Sequence, residues 1–123
     1  MILDEEIYVI DNFIDIEYQK DIKNVNVLQG RSFLQFPLNL KDKNVDTPHI
    51  DLHHREHLVV LYYVCDSDGD TIIYNEREQS NTYTIKQKVT PKQGRMVLFD
   101  GGLYHTAEQP LNNVRCVVNY NLG

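Results

Sequence analysis

From residue 46 onward the chain is a succession of short apolar runs broken by turn residues at intervals of roughly eight to twelve positions, and this punctuation constrains the fold more than any other feature. The runs are His57–Cys65, Thr71–Tyr74, Thr82–Val89, Arg95–Phe99, Tyr104–Glu108 and Val114–Leu122. Between them lie clusters that reverse the backbone: Asp66–Gly69, Pro91–Gly94 and Asp100–Gly102. The first run is rich in Val, Leu and Tyr, as a strand covered on both faces must be. Thr82–Val89 alternates polar and apolar and reads as half exposed. Gly101-Gly102 reads as a hairpin turn. Many short strands with regular turns close into a sandwich or barrel, and a jelly roll is one such solution.

The stretch before residue 46 is less regular. Ile7–Asp11 is a short apolar strand. Asp15 can cap a helix in which Tyr18, Ile22 and Val25 share a face. Phe33–Leu40 has strand character but is interrupted by Pro37. Repeats, low-complexity tracts and Pro/Gly/Ser linkers are missing from the sequence. The expectation is one domain over 1–123, with an N-terminal strand and helix over about 1–45 and a barrel core over about 46–123.

Charge and cysteine content narrow the classes of function. The formal net charge is −6, which offers no basic footprint for nucleic-acid phosphates or anionic lipid. No run approaches the length of a membrane-spanning helix. The opening Met-Ile-Leu-Asp-Glu-Glu carries acid where a secretory signal carries base, so the expected location is the cytoplasm. Cys65 and Cys116 both sit in apolar runs without metal-ligand spacing. They read as reduced, partly buried thiols, with a bridge between neighbouring strands as the other reading.

The chemistry begins at His49-Ile50-Asp51. Side chains two apart on a strand share a face, so an imidazole and a carboxylate are presented together. With one more histidine on that face they form a two-His-one-carboxylate triad. That set leaves three positions open on an octahedral ion, as suits Fe(II) that must also bind a cosubstrate and O2. Taken alone the spacing is weak, and a surface or satisfied histidine explains it as well. His105 follows a strand and a tight Asp-Gly-Gly turn. Ten residues later Arg115 opens another apolar strand. An arginine inside a barrel is costly unless it meets an anion, and its planar fork suits a carboxylate. His53, His54 and His57 read as a polar loop between strands, although His53 shares a face with Asp51 and a zinc cluster is the sharper alternative.

In order and spacing, His49-Ile50-Asp51, Leu58–Val64, Gly69-Asp70-Thr71, Val97–His105 and Arg115 resemble the Fe(II)/2-oxoglutarate oxygenases of the prolyl 4-hydroxylase-like branch. The resemblance runs from Pro48 to Leu122, and Tyr8–Phe13 is similar to the family's usual opening strand. Compact oxygenases of bacterial viruses are similarly short before the first ligand. The resemblance implies a double-stranded β-helix, a mainly β, cupin-like jelly roll of eight strands with a short N-terminal helix. It implies that His49, Asp51 and His105 hold the iron and carry catalysis. Arg115 would bind the far carboxylate of 2-oxoglutarate, with the Tyr63 hydroxyl assisting. Leu61 and Thr71 would line the pocket. Ala107 and Asn119 should face inward by strand alternation. Departures are Gly69-Asp70 for a glycine pair and Tyr-Tyr-Val-Cys for Tyr-Tyr-Leu-Asn. The implied reaction is hydroxylation of a C–H bond, on a prolyl peptide or a small molecule, with release of succinate and CO2. Two other classes stay open: a cupin-like metal protein or isomerase that does not use 2-oxoglutarate, and a non-catalytic barrel that serves as an interaction module. Substrate and oligomeric state are not encoded legibly.

Overall fold

The computed structural model describes residues 7–12, 26–37 and 45–123. Among the described residues there are eight strands: β1 (Ile7–Ile10), β2 (Val27–Gln35), β3 (Leu58–Tyr63), β4 (Thr71–Tyr74), β5 (Ile85–Val89), β6 (Met96–Asp100), β7 (His105–Ala107) and β8 (Arg115–Leu122). They form a five-stranded sheet in the order β1-β6-β3-β8-β2 and a three-stranded sheet in the order β5-β4-β7. Every described pairing is antiparallel. Two bridges, Val45 to Glu108 and His49 to His105, lay the segment before β3 along the free side of β7. The chain alternates between the two sheets, and this is the jelly-roll, double-stranded β-helix architecture expected from the turn pattern.

Strand alternation explains how the two sheets face each other. Val59, Leu61 and Tyr63 of β3, Val97 and Phe99 of β6, Val117 of β8 and Ile73 of β4 share one buried cluster between the sheets. The intervening Leu58, Val60, Met96 and Leu122 form a second buried cluster on the opposite face of the large sheet. Because β3 is covered on both faces, its sequence is an unbroken apolar run. On β5, by contrast, only Val89 is buried, which fits its alternating pattern.

The boundaries differ instructively from the expected ones. β2 begins at Val27 and stops at Gln35, immediately before Phe36-Pro37, and the rest of the expected run to Leu40 lies outside the described residues. The helix expected after Asp15 lies outside the described residues. Gly94 closes the Pro91–Gly94 turn at φ 81°, where a side chain would be strained. Gly101-Gly102 is not a hairpin. It carries the chain from β6 in one sheet to β7 in the other, and Gly101 lies flat on the His57 ring, where a Cβ would collide. His57 is therefore a buried packing group whose Nδ1 donates to the Arg55 carbonyl at 2.9 Å, whereas His53 and His54 form the exposed loop that was expected. Cys65 and Cys116 are unpaired, half-buried thiols. Among the described residues no helix is long and apolar enough to cross a membrane.

Candidate metal centre

The meeting of His49 with His105 is a consequence of β pairing. The two residues exchange both backbone hydrogen bonds, each 3.0 Å from N to O. Residues paired in this way project side by side on one face, and the ring centroids are 4.6 Å apart. Asp51, two residues after His49, turns back over the same face. Its Oδ1 is 3.3 Å from His49 Nε2 and 3.5 Å from His105 Nε2. Among the described residues these three are the group able to hold a metal ion, with all ligand atoms within 4.8 Å of one another.

Each ligand is oriented from behind. His49 Nδ1 donates to the Thr47 carbonyl and His105 Nδ1 to the Leu103 carbonyl, both at 3.0 Å. A carbonyl can only accept, so Nδ1 of each ring carries a proton, and Nε2 is left to face Asp51 Oδ1, as a hydrogen-bond donor in the metal-free site and as a lone-pair ligand if a metal ion is bound. The edge of Phe99 braces the His105 ring with centroids 5.0 Å apart. Asn119 Nδ2 donates to Asp51 Oδ2 at 3.1 Å, which turns Oδ1 toward the imidazoles. Burial alone would raise the Asp51 pKa, but hydrogen bonds from His105 and His49 outweigh it and hold the carboxyl well below its usual range. The Asp51 hydrogen bond correspondingly raises His49, against an opposing contribution from burial. An anionic oxygen is thus kept ready between two nitrogen donors.

The donor set fits a divalent, octahedral-preferring ion. Neighbouring ligands, each about 2.1 Å from such an ion, lie about 3 Å apart, close to the two contacts from Asp51 Oδ1. Two imidazoles and one carboxylate on one face leave the opposite face open, the arrangement associated with non-haem Fe(II). His105 and Asp51 are buried, while the His49 side chain is half exposed and marks the mouth.

A cavity of about 350 Å³ extends from this centre between the sheets. Its far end is built around Arg115, which is 4% exposed. The guanidinium donates to the Gly69 carbonyl at 3.0 Å, Thr71 Oγ1 at 2.8 Å and Gln35 Oε1 at 3.1 Å. All three acceptors are neutral, and desolvation lowers the Arg115 pKa. Among the described residues no carboxylate is in hydrogen-bond contact with this buried cation, and Asp46 and Asp70 act on it only through longer-range attraction.

The cavity brings together most of the residues expected from sequence: His49, Asp51, His105, Arg115, Leu61, Thr71, Ala107 and Asn119 all line it. Tyr63 does not. Its hydroxyl donates to Thr71 Oγ1 at 2.6 Å from one layer back, so it reaches the cavity through Thr71. Sequence reading missed Arg31, Phe33 and Gln35 of β2, together with Asp46 and Thr106. The period-two series Gln29, Arg31, Phe33, Gln35 could have revealed the β2 contribution. Its polar face points into the barrel while Leu34 and Phe36 are exposed, the reverse of the usual amphipathic sign.

No protein-family model matches the chain, and no curated protein matches it. Solved structures do. The viral collagen prolyl hydroxylase of Paramecium bursaria Chlorella virus 1, in complex with 2-oxoglutarate, superposes with TM-score 0.68 at 10% identity over 97% of this chain and 96% of that one. A 2OG-Fe(II) oxygenase family oxidoreductase from Burkholderia pseudomallei matches at TM-score 0.63 and 12% identity, covering 95% of this chain and 66% of that one. A Pseudomonas putida prolyl-4-hydroxylase matches at 0.50 and 12%, covering 96% and 92%. At these identities the likeness establishes a shared fold, and the argument from fold to chemistry rests on the side chains of the cavity.

Proposed function

We propose that this single-domain protein is a cytoplasmic, non-haem Fe(II)- and 2-oxoglutarate-dependent oxygenase that hydroxylates a C–H bond. The observation that carries the reading is the placement of Arg115. One cavity holds a two-His-one-carboxylate centre at its mouth and, at its far end, a buried guanidinium that touches only neutral acceptors. A dicarboxylic 2-oxo acid satisfies both ends, with its oxo-acid group at the metal and its distal carboxylate on Arg115. A cupin-like metal protein that uses no such cosubstrate, or a non-catalytic barrel, would leave that cation with no hydrogen-bonded counter-ion, only the longer-range attraction of Asp46 and Asp70.

His49, Asp51 and His105 would hold the iron, and Asn119 would steer Asp51. Arg115 and Thr71 would receive the distal carboxylate, with Tyr63 fixing the Thr71 hydroxyl. Leu61 and Ala107 would supply apolar wall and exclude water. When bound, iron with 2-oxoglutarate and O2 supplies the oxidising chemistry that inserts oxygen into the substrate and yields succinate and CO2. The chain's own contribution is orientation and a site that stays dry around the bound oxo acid. The viral relative is named a collagen prolyl hydroxylase, which makes a prolyl peptide the first substrate to test.

The experiment is an anaerobic titration of the Fe(II) protein with 2-oxoglutarate, followed by admission of oxygen and assay of succinate. Saturable binding that requires iron, and succinate release that requires both iron and 2-oxoglutarate, are expected. Metal loading without 2-oxoglutarate binding would favour the cupin-like reading, and failure to retain metal stoichiometrically would favour the non-catalytic one.

A further inference from the structure

The assignment above uses one of the two guanidiniums that line the cavity. The other belongs to Arg31, which projects from the inner face of β2 in register with Asn119 of β8. Its side chain is 42% exposed, and Nη2 lies 3.8 Å from Asp51 Oδ1. The guanidinium stands over the Phe33 ring, 5.4 Å from its centroid, so an aromatic platform restricts where it can swing. Arg31 thus stands beside the metal centre, at the opposite end of the cavity from Arg115.

Its one charged partner among the described residues is the oxygen already assigned to the metal. Asp51 Oδ2 is engaged by Asn119, and Oδ1 faces both imidazoles. Once a divalent ion takes Oδ1, the charge that holds Arg31 is spent, and a monocation is left beside a dication. Like charges at such range repel strongly in a partly desolvated cleft. An anion placed against Arg31 relieves this. With its distal carboxylate on Arg115, 2-oxoglutarate would bring its other carboxylate to the metal, where it offsets the charge of the ion and leaves Arg31 without an anion of its own. The remaining occupant of the mouth is the substrate.

We propose that Arg31 is a specificity-determining residue that takes a carboxylate of the substrate, so that the substrate class is a carboxylic acid whose oxidisable C–H lies a few bonds from its acid group. Phe33 supplies an apolar face beside that group, and the planar fork of the guanidinium orients the carboxylate. The inference rests on the oxygenase reading and deepens it. On a chain of net charge −6, a cation at the cavity mouth also gives local attraction to an acid that the rest of the surface would repel.

The test is a binding measurement that does not require turnover. Protein loaded with Mn(II) and saturated with 2-oxoglutarate is titrated calorimetrically with the N-acetyl derivatives of the twenty amino acids, and with the amide of each. The expected result is at least one pair in which the acid binds about tenfold or more tightly than its amide. That preference should shrink to within about twofold in Arg31→Gln and persist in part in Arg31→Lys, while Mn(II) and 2-oxoglutarate affinities stay within about twofold of wild type. Three outcomes overturn the proposal: no acid is preferred to its amide, the preference survives in Arg31→Gln, or Arg31→Gln loses Mn(II), which would make Arg31 a strut for Asp51. Wild-type protein that binds Mn(II) but not 2-oxoglutarate would instead overturn the oxygenase reading on which the inference stands.

Discussion

Replacing Arg115 with methionine should separate folding from function. In the protein without cosubstrate, the buried guanidinium has lost its hydration and meets only the Gly69 carbonyl, Thr71 Oγ1 and Gln35 Oε1. An uncompensated buried cation costs several kcal/mol. Methionine has similar length and removes that cost, but it strands the Gly69 carbonyl and one lone pair of Thr71, at about 1–3 kcal/mol for each acceptor cut off from water. The Thr71 hydroxyl still accepts from Tyr63, and the half-buried Gln35 amide can turn toward solvent. The two contributions are of similar size and opposite sign, so stability should change by no more than about 2 kcal/mol either way. Cosubstrate binding has no such cancellation. A carboxylate arriving beside methionine would be buried without a partner, a loss of about 2–5 kcal/mol, or roughly thirtyfold to several thousandfold in affinity. Chemical denaturation of the metal-free protein gives the first quantity, and anaerobic calorimetry with the Fe(II) protein gives the second. Metal affinity should stay unchanged. Equal 2-oxoglutarate affinity in wild type and variant would remove Arg115 from the site. A stability loss well beyond 3 kcal/mol would show that the guanidinium is a structural tie and not a waiting anion receptor.

His49→Ala and Asp51→Ala should each abolish stoichiometric iron binding, measured by metal analysis, while circular dichroism stays native, because both residues border the cavity and neither belongs to the apolar core. Gln35→Glu would place a resident carboxylate against Arg115 Nη1, so 2-oxoglutarate should bind at least about tenfold more weakly with iron binding unchanged; unaltered affinity would show that the Gln35 position lies outside the cosubstrate's reach. Asp68 anchors the loop after Pro110 by accepting from the backbone amides of Leu111, Asn112 and Asn113. Burial opposes ionisation, but those amides together outweigh it and hold its pKa below the ordinary value of 3.8. A carboxyl lowered on folding stabilises above its unfolded pKa and loses that contribution as pH drops through the folded value. Thermal stability should therefore decline below about pH 4, and Asp68→Asn should flatten that part of the profile; identical pH profiles would remove Asp68 from the account.

Which parts of the molecule could be read in advance follows from what each strand has to bury. β3, β4 and β6 put mostly apolar residues against the interior, and β8 carries Val117 and Leu122 into the buried clusters, so their extents emerged from composition to within a residue or two. The His-x-Asp spacing and a lone arginine opening an apolar strand left the bland readings open; the triad and the role expected of Arg115 came from the order and spacing of the motifs, which resemble a known family. β2 was not legible. Its inner face is Gln29, Arg31, Phe33 and Gln35, of which the last three line the cavity, while Leu34 and Phe36 are exposed, so the strand lacks the apolar inward face by which the others were read. Tyr63 was placed one layer too far forward, because strand alternation specifies a face but not whether a short hydroxyl from the next strand stands in front. Likewise Gly101-Gly102 signals a reversal whether the chain stays in its sheet or changes sheets, and only the His57 ring beneath it decides.

Among the described residues, the segment from Val45 to Asp51 pairs with the β7 edge by two isolated bridges, at Val45 and at His49, and not by a continuous ladder. Side-chain hydrogen bonds from Thr106 and Gln109 to Asp46 add to its hold, and it supplies two of the three ligands. An ion that ties this segment to His105 would act as a clasp on that seam of the wall. Folding and metal loading then become linked equilibria, and the lifetime of the protein in a cell would track its supply of iron.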